Sequence, residues 1–302
     1  MGSTFAKLQK RYRSFGRHPL ADGRSFAPFL RYVGYHMRRK LSKSPPIHSW
    51  IGGTKLIAFH EAGITGNLFH GLHDFEDMGF VLHALRRDDT FLDVGANCGA
   101  YSVLASGVVG AASIAVEPVP HTFERLRAIL ALNELNERVE AVPAGVGREA
   151  GTATFSTDRG AMNRILPDGQ TRADSVEIPV RTIDEIVAGR AVRILKIDVE
   201  GFEQPALQGA SALLAQGDLQ AILVELNGSG RAYGYEDEGV HVLLTDAGFR
   251  PYAYEPRTRT LTPRETWNRE HFNTLYVRAE ARSDLAARLQ DAPPFQVRGR
   301  TF

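Results

Sequence analysis

The feature that most constrains the fold is an alternation, from residue 90 onward, of short apolar runs with amphipathic stretches. The apolar runs predict strands at residues 91–94, 113–116, 139–142, 194–197 and 221–224. The stretches between them predict helices at residues 100–109, 123–132, 204–215 and 239–247. Strands that alternate with helices at this spacing are typical of a parallel, doubly wound sheet. The sequence therefore predicts an α/β protein with a Rossmann-like sheet.

Further strands complete this prediction. Residues 249–254 and 274–277 predict two C-terminal strands that pair antiparallel, which gives a mostly parallel, seven-stranded sheet. Residues 152–156 and 176–180 predict an inserted hairpin, and residues 55–59 predict another hairpin before a helix at 74–85. We divide the chain into a basic N-terminal extension (1–50), one α/β domain (51–280, with a cap segment at 51–88) and a C-terminal tail (281–302).

Charge is distributed unevenly along the chain. The net charge is +1, which gives the whole molecule no bias towards nucleic acid, but residues 1–43 hold eleven Lys or Arg and one acid. We interpret this arm as a solvated extension that packs loosely on an acidic body, and contact with a membrane surface or an anionic substrate stays open. No apolar run is long enough for a secretory signal or a membrane span. Cys98 is the single cysteine, so we expect a cytoplasmic protein without disulfides.

A glycine-containing loop follows the first predicted strand. Gly95 and Gly99 allow a sharp turn and a close approach of the backbone to a ligand. A dinucleotide site would have G-x-G-x-x-G here, but Asn97 replaces the second glycine and Asp93 precedes the loop. An acid repels a phosphate and suits a cation. The loop therefore favours S-adenosylmethionine, which carries a sulfonium and an ammonium, over a nicotinamide cofactor.

Two more strand ends carry charged residues. Glu117 lies about 20 residues after the loop, where an acid accepts hydrogen bonds from the ribose hydroxyls of a nucleoside cofactor. Lys196, Asp198 and Glu200 alternate along the end of the fourth strand, which places them on one side of it. The first and fourth strands flank the expected switch in strand order, so Asp198 should face the glycine loop.

These motifs resemble the FkbM family of methyltransferases over roughly residues 52–278. The resemblance rests on residues 93–99 (DVGANCG), 116–118 (VEP) and 196–203 (KIDVEGFE), with Leu207, Gly209 and Ala210. It extends to Gly71, Leu72, Asp74, Asn133 and residues 225–228 (ELNG). The chain has Asn163-Arg164 where members of the family have an Asn-His pair, so a histidine base is not expected there.

The resemblance implies a class I methyltransferase fold and methyl transfer from S-adenosylmethionine to a hydroxyl on a sugar, glycan or secondary metabolite. We expect a methyl donor site, a general base and acceptor contacts at the strand ends. The donor-site candidates are Asp93, Gly95, Asn97, Gly99, Glu117 and Pro118. The base candidates are Asp198 and Glu200, with Lys196 as their orienting partner. The acceptor candidates are Glu225, Asn227 and Tyr233, and residues 228–235 resemble a lid.

No metal site is predicted, because the spacing of His60, His70 and His73 does not require one and each is expected to face solvent or to bond backbone. Two alternatives stay open: an NAD-dependent oxidoreductase on the same fold, and a non-catalytic interaction module that uses the basic arm. The sequence leaves open the acceptor, the choice between O- and N-methylation, and the oligomeric state.

Overall fold

The structure is a computed structural model that describes residues 2–42, 44–59, 64–156 and 175–302. Lys43, His60, Asn163 and Arg164, which the sequence analysis singled out, lie outside these ranges.

The N-terminal third contains four helices and one hairpin ahead of the main sheet. Its elements are α1 (Gly2–Gly16), α2 (Phe26–Leu41), β1 (Ile47–Ser49), β2 (Lys55–Ile57), α3 (Thr65–His70) and α4 (Phe75–Ala84). The strands β1 and β2 pair antiparallel, which confirms the hairpin predicted around residues 55–59. The helix predicted at residues 74–85 is α4.

The alternating part of the chain folds into strands and helices close to the predicted bounds. Its first elements are β3 (Thr90–Val94), α5 (Ala100–Val103), β4 (Ala112–Val116), α6 (Pro120–Leu132), β5 (Val139–Val142), β6 (Gly145–Val146), β7 (Gly151–Ser156), β8 (Ser175–Arg181) and α7 (Ile183–Val187). A π-helical segment, Leu104–Val109, continues α5. The strands β7 and β8 form the predicted antiparallel hairpin, and β6 joins β8 in a small three-stranded sheet.

The remaining elements complete the sheet and its helical layers. They are β9 (Ile194–Ile197), α8 (Glu203–Gln208), α9 (Ser211–Ala215), β10 (Ala221–Glu225), α10 (Asp237–Asp246), β11 (Phe249–Glu255), β12 (Thr260–Pro263), β13 (Asn273–Arg278), α11 (Arg282–Gln290), β14 (Gln296–Val297) and β15 (Arg300–Thr301). A single helix was predicted at residues 204–215, but it is divided at Gly209. A Cβ on Gly209 would lie 2.1 Å from the Gly147 carbonyl oxygen, so this position requires glycine, a residue that disfavours a continuous helix.

The main sheet has eight strands in the order β12-β11-β13-β10-β9-β3-β4-β5. The five strands from β10 to β5 are parallel, and β13 is antiparallel to β10 and β11, as predicted for the C-terminal strand. The Rossmann-like fold is therefore confirmed. The additional strand is β12, at the edge of the sheet, and its mostly exposed Thr and Pro residues lack the apolar pattern that reveals buried strands.

The two faces of the sheet carry separate hydrophobic clusters. One is built around α8, α9 and α10, and the other around α4, the π-helical segment and the C-terminal residues. Leu285, Leu289, Phe295 and Val297 lie in the second cluster. The segment 281–302, which the sequence analysis treated as a tail, is thus part of the packed core.

The N-terminal extension also packs more closely than predicted. Phe15 and Tyr35 share a buried cluster with Phe69, and Arg31 Nε donates a hydrogen bond of 2.7 Å to the Phe69 carbonyl oxygen. The prediction of a loosely packed, solvated arm is therefore wrong for the part of α1 and α2 that carries Phe15, Tyr32 and Tyr35, because these rings pack on Phe69 of α3. Within the described ranges, no helix has the length and apolar composition needed to cross a bilayer.

Candidate active site

The glycine loop lies between β3 and α5 and contacts the loop that follows β9. Gly95 has φ 79°, and a Cβ there would lie 1.8 Å from the Asp198 carbonyl oxygen, so only glycine fits. Gly99 and Asn97 also have positive φ, at 83° and 50°. Gly95 therefore allows the ends of β3 and β9, on which the predicted site depends, to lie in close contact.

The backbone N–H groups of residues 95–99 all have acceptors within the protein. Those of residues 95 and 96 donate to the Val116 carbonyl, that of residue 97 to Glu117, that of residue 98 to the Asn97 side chain, and that of residue 99 to the Ala96 carbonyl. A pyrophosphate is held by free N–H groups in this position. The loop offers it none.

Glu117 is buried at the end of β4. Its carboxylate accepts hydrogen bonds of 3.0 Å from the backbone N–H groups of Asn97 and Val119. Burial raises the pKa of Glu117 to about 7, although the two hydrogen bonds favour the ionised form. The side chain is thus anchored to the glycine loop and still borders the cavity described below.

Asp93 is buried and does not face the cavity, unlike the cofactor contact predicted for it. It is 1% exposed, Ser102 Oγ donates a hydrogen bond of 2.7 Å to Oδ2, and Lys196 Nζ lies 4.0 Å from Oδ1. Burial raises the pKa of Asp93 while the charge of Lys196 lowers it. Asp93 does not line the cavity, so its position is that of a buried counterion of Lys196.

Lys196 links Asp93 to the cavity. Its Nζ donates a hydrogen bond of 3.1 Å to Asp198 Oδ2 and lies 5.1 Å from the centre of the Tyr101 ring. Burial lowers the pKa of Lys196, but the carboxylates of Asp198 and Asp93 outweigh burial, and the net pKa lies above the ordinary value. Lys196 therefore stays charged and holds Asp198 in place.

Three carboxylates converge beside Lys196. Asp198, Glu200 and Glu225 each present an atom within 4.8 Å of the others. Burial, followed by repulsion from Asp198 and Glu200, raises the pKa of Glu225 to about 9. These three atoms are close enough together to hold a metal ion, although exposed acidic groups are common without one, and Lys196 supplies a positive charge to Asp198.

The loop after β9 that carries Glu200 is held by Glu203. Glu200 has φ 55°, and Gly201 has φ 103° with no room for a Cβ, which would lie 2.7 Å from the Ser229 backbone. Glu203 Oε1 accepts hydrogen bonds of 3.1 Å from the backbone N–H groups of Val199 and Gly201. The Glu-Gly pair thus turns sharply at the edge of the cavity.

Three polar side chains in or beside the cavity lining were not predicted from the sequence, namely Asp77, Tyr101 and Asn273. Tyr101 Oη donates a hydrogen bond of 3.2 Å to Asp74, and Asn273 Nδ2 donates one of 2.8 Å to Asp77. Burial and the nearby Asp74 raise the pKa of Asp77 to about 7. Asn273 pairs with Glu225 across β13 and β10, a register that no local sequence pattern shows.

One cavity of about 420 Å³ connects these groups. Of the predicted site residues, the following line it: Gly95, Asn97, Glu117, Pro118, Lys196, Asp198, Glu200 and Glu225. The others lie outside the lining, namely Asp93, Gly99, Asn227 and Tyr233. Beyond the predicted set, the lining includes apolar residues around Val119 and Phe155, which belong to one buried cluster.

Asn227 and Tyr233 lie outside the lining of the cavity, and their contact with the acceptor stays a prediction. The Asn227 side chain accepts a hydrogen bond of 2.8 Å from Ser229 N and shapes its own turn. Tyr233 ends a 3₁₀ helix and packs edge-on against Phe202, which does line the cavity, with ring centres 5.4 Å apart. Tyr233, one of the predicted lid residues, thus contacts a residue of the cavity lining.

His70 and His73, two described histidines of the cap segment, differ in exposure. His73 is exposed and borders the cavity. His70 is 8% exposed and stacks on His18 at 3.9 Å, so the expectation that it faces solvent or bonds backbone is wrong. Burial lowers the pKa of His70 to about 3, which keeps the ring neutral in this aromatic stack.

Comparison with known proteins bears on the reaction class. Residues 93–251 match the family model described as the Methyltransferase FkbM domain. No curated protein sequence is significantly similar to the chain.

Similar solved structures include three methyltransferases. The first, methyltransferase FkbM from Methylobacillus flagellatus KT, is 16% identical over 71% of this chain, with a TM-score of 0.45, and this chain covers 52% of its length. The second, precorrin-6y C5,15-methyltransferase from Geobacter metallireducens GS-15, is 12% identical over 68% of this chain and 87% of its own, with a TM-score of 0.40. The third, an rRNA methylase from Streptococcus thermophilus, is 13% identical over 67% of this chain and 93% of its own, with a TM-score of 0.38. Because the family model matches more than half of its residues, the chain belongs to the FkbM methyltransferase family.

Proposed function

We propose that this protein transfers a methyl group from S-adenosylmethionine to a hydroxyl of a small molecule or glycan. The proposal rests on one observation above all: the cavity joins a saturated glycine loop and a buried acid, Glu117, to a cluster of three carboxylates. When bound, the cofactor supplies a methyl group that its sulfonium already activates for transfer. The protein then has to bind, orient and deprotonate the acceptor.

The residues present fit a cationic adenosine cofactor better than a dinucleotide. The glycine loop has no free backbone N–H for a pyrophosphate, and Glu117 beside it repels phosphate. Glu117 keeps unused lone pairs for ribose hydroxyls, and the apolar lining around Val119 and Phe155 suits an adenine ring. These features support S-adenosylmethionine and count against the NAD-dependent alternative.

The carboxylate cluster is assigned to the acceptor. Asp198 is held by Lys196 and its side chain is 37% exposed, so it reaches the cavity in a fixed orientation. We assign Asp198 or Glu200 as the general base that removes the hydroxyl proton, a contribution of about 10²–10⁴-fold to the rate. Glu225, protonated at neutral pH, is assigned to donate a hydrogen bond to the acceptor. Lys196 orients the base rather than reacting.

Titration calorimetry with S-adenosylmethionine and with NAD tests the cofactor assignment. We expect binding of S-adenosylmethionine only, weakened at least tenfold by Glu117→Ala and unchanged by Glu137→Ala, an exposed acid that lies away from the cavity. Binding of NAD, or of neither compound, would contradict the proposal.

The base assignment is tested by turnover with labelled cofactor and a panel of hydroxyl and amine acceptors. We expect Asp198→Asn to lower kcat about 10²-fold or more while cofactor affinity is retained. Methylation of amines alone would overturn the choice of a hydroxyl acceptor. Normal turnover by both Asp198→Asn and Glu200→Gln would show that the base lies elsewhere.

A further inference from the structure

The helix α2 presents an apolar stripe to solvent. Phe26, Leu30, Met37 and Leu41 are 63%, 51%, 60% and 86% exposed. Their spacings of four, seven and four residues place them along one face of a helix. Half of the large exposed apolar side chains in the described part of the chain lie on this one helix. We call these four residues the α2 stripe.

The N-terminal segment that carries the α2 stripe is rich in exposed basic side chains. Arg38, Arg39 and Lys40 lie in the last turns of α2, and all three are exposed. The exposed basic residues of the preceding segment are Lys10, Arg11, Arg13, Arg17 and Arg24. The acid in this region, Asp22, is paired with Arg257 at 3.6 Å and with Arg300 at 2.5 Å. The N-terminal helices therefore combine a strong positive charge with exposed apolar area.

The opposite face of α2 is fixed to the body of the protein. Tyr35 is 6% exposed in the cluster with Phe69, and Arg31 bonds the Phe69 carbonyl. The neighbouring His18 Nε2 lies 2.9 Å from the His73 carbonyl oxygen, and His73 borders the cavity. The stripe thus lies on a helix whose opposite face packs on α3, and α3 contributes Asn67 to the cavity lining.

We infer that the α2 stripe and its basic flanks dock the protein on an anionic lipid bilayer surface. A helix with an apolar face and flanking Lys and Arg lies in the membrane interface, with its apolar side chains among the acyl chains and its charges at the headgroups. The anionic leaflet attracts each nearby basic residue.

Charge decides between the possible occupants of this surface. Residues 1–43 carry a net charge of +10 and the rest of the chain −9, so two copies joined through the stripe would bring like charges together. A nucleic acid would be bound by the basic residues alone and would leave the apolar stripe in water. A bilayer with anionic headgroups complements both properties.

Co-sedimentation of the full-length protein with lipid vesicles tests this inference. One set of vesicles is pure phosphatidylcholine and the other contains about 30% phosphatidylserine, an experimental choice that provides a negative surface potential. We expect binding to the anionic vesicles at least tenfold tighter than to neutral ones, and weaker binding at high salt.

Matched variants separate the stripe from charge alone. The double variant Leu30→Glu, Met37→Glu should lose vesicle binding at least tenfold, whereas Val242→Glu, at a 47% exposed site on α10, should bind as the parent does. Unchanged melting temperatures show that all three proteins are folded. The inference is overturned if neutral and anionic vesicles bind equally, if the double variant still binds, if the parent stays in the supernatant, or if light scattering shows that the stripe holds a dimer instead.

Discussion

At the scale of single residues, the site is governed by carboxyl groups whose ionisation is opposed by burial. Burial raises the pKa of Glu117 and Asp77 to about 7, and burial with repulsion raises that of Glu225 to about 9. Among the described residues that line the cavity, Lys196 is the only Lys or Arg. The cavity therefore carries more negative charge as the pH rises, which favours a cationic cofactor and disfavours the unliganded fold.

The ionisation of Glu225 can be measured through the pH dependence of the free energy of unfolding. Its folded-state pKa of about 9 lies above the ordinary 4.5, so its protonated form stabilises the fold at low pH, and that stability is lost as the pH rises towards 9. Glu225→Gln removes the titration and keeps a neutral hydrogen-bonding side chain. Between pH 7 and pH 9 the free energy of unfolding of the parent should fall by about 2 kcal/mol relative to that of the variant. This follows from about 1.4 kcal/mol for each pH unit below the pKa.

Urea denaturation of both proteins across this pH range measures the difference. Asp77, Glu117 and Glu203, whose pKa values are raised to about 7, titrate in both proteins, so their contributions cancel in the difference and the comparison reports on Glu225. Glu140→Gln, at an exposed site, is the matched control and should follow the parent. Parallel pH profiles for the parent and Glu225→Gln would show that Glu225 ionises normally.

At the scale of elements, the loop between β9 and α8 depends on one side chain. Glu203 is 5% exposed and accepts hydrogen bonds from two backbone N–H groups, of Val199 and Gly201. These bonds hold Glu200 in a left-handed conformation and keep Asp198 close to Gly95. The site is thus positioned by a buried acid that does not itself line the cavity.

Glu203→Ala should therefore affect both stability and turnover. Two buried N–H groups lose their acceptor, which costs about 2 kcal/mol in free energy of unfolding, and kcat should fall at least tenfold as the loop relaxes. Glu203→Gln retains the carbonyl acceptor and should stay within about 1 kcal/mol of the parent. Urea denaturation and methyl-transfer assays measure the two effects. Equal behaviour of the Ala and Gln variants would exclude this positioning role.

At the scale of the whole molecule, the two ends of the chain complete its packing. Phe15 is 3% exposed and its ring meets those of Phe29, Tyr32 and Phe69, while Phe295 from the other end lies in the cluster around α4. The segments that the sequence analysis set apart as an extension and a tail are therefore joined to the α/β domain by buried aromatic contacts.

Phe15→Ala tests this integration. Removing a buried aromatic ring should lower the free energy of unfolding by about 3 kcal/mol. Tyr12→Ala, on the same helix but 39% exposed, should change it by less than about 1 kcal/mol. Thermal and urea denaturation, each followed by circular dichroism, give both values. A neutral Phe15→Ala would mean that α1 contributes nothing to the stability of the body.

Features of this fold were predictable from the sequence where a local pattern produces them. Buried strands such as β3 and β9 were predicted because a continuous apolar run is a local signal. The exposed edge strand β12, the division of a predicted helix at Gly209 and the burial of Asp93 behind Lys196 were missed. Asp93 and Gly209 lie against neighbours that are distant in sequence, Lys196 and Gly147. The strand β12 pairs with the nearby β11 but lacks the apolar pattern that reveals a buried strand.

The sequence by itself determined the order of strands and helices, the family, and the residue types at the ends of β3, β4 and β9. These follow from periodicity and from motifs confined to a few consecutive residues. Only the tertiary structure decided which side chains reach the cavity. It placed Asp74 and Asn273 in the cavity lining, left Asn227 and Tyr233 outside that lining, and left one face of α2 in solvent. The physical reason is that burial and strand register arise from contacts between distant segments, which no local pattern records.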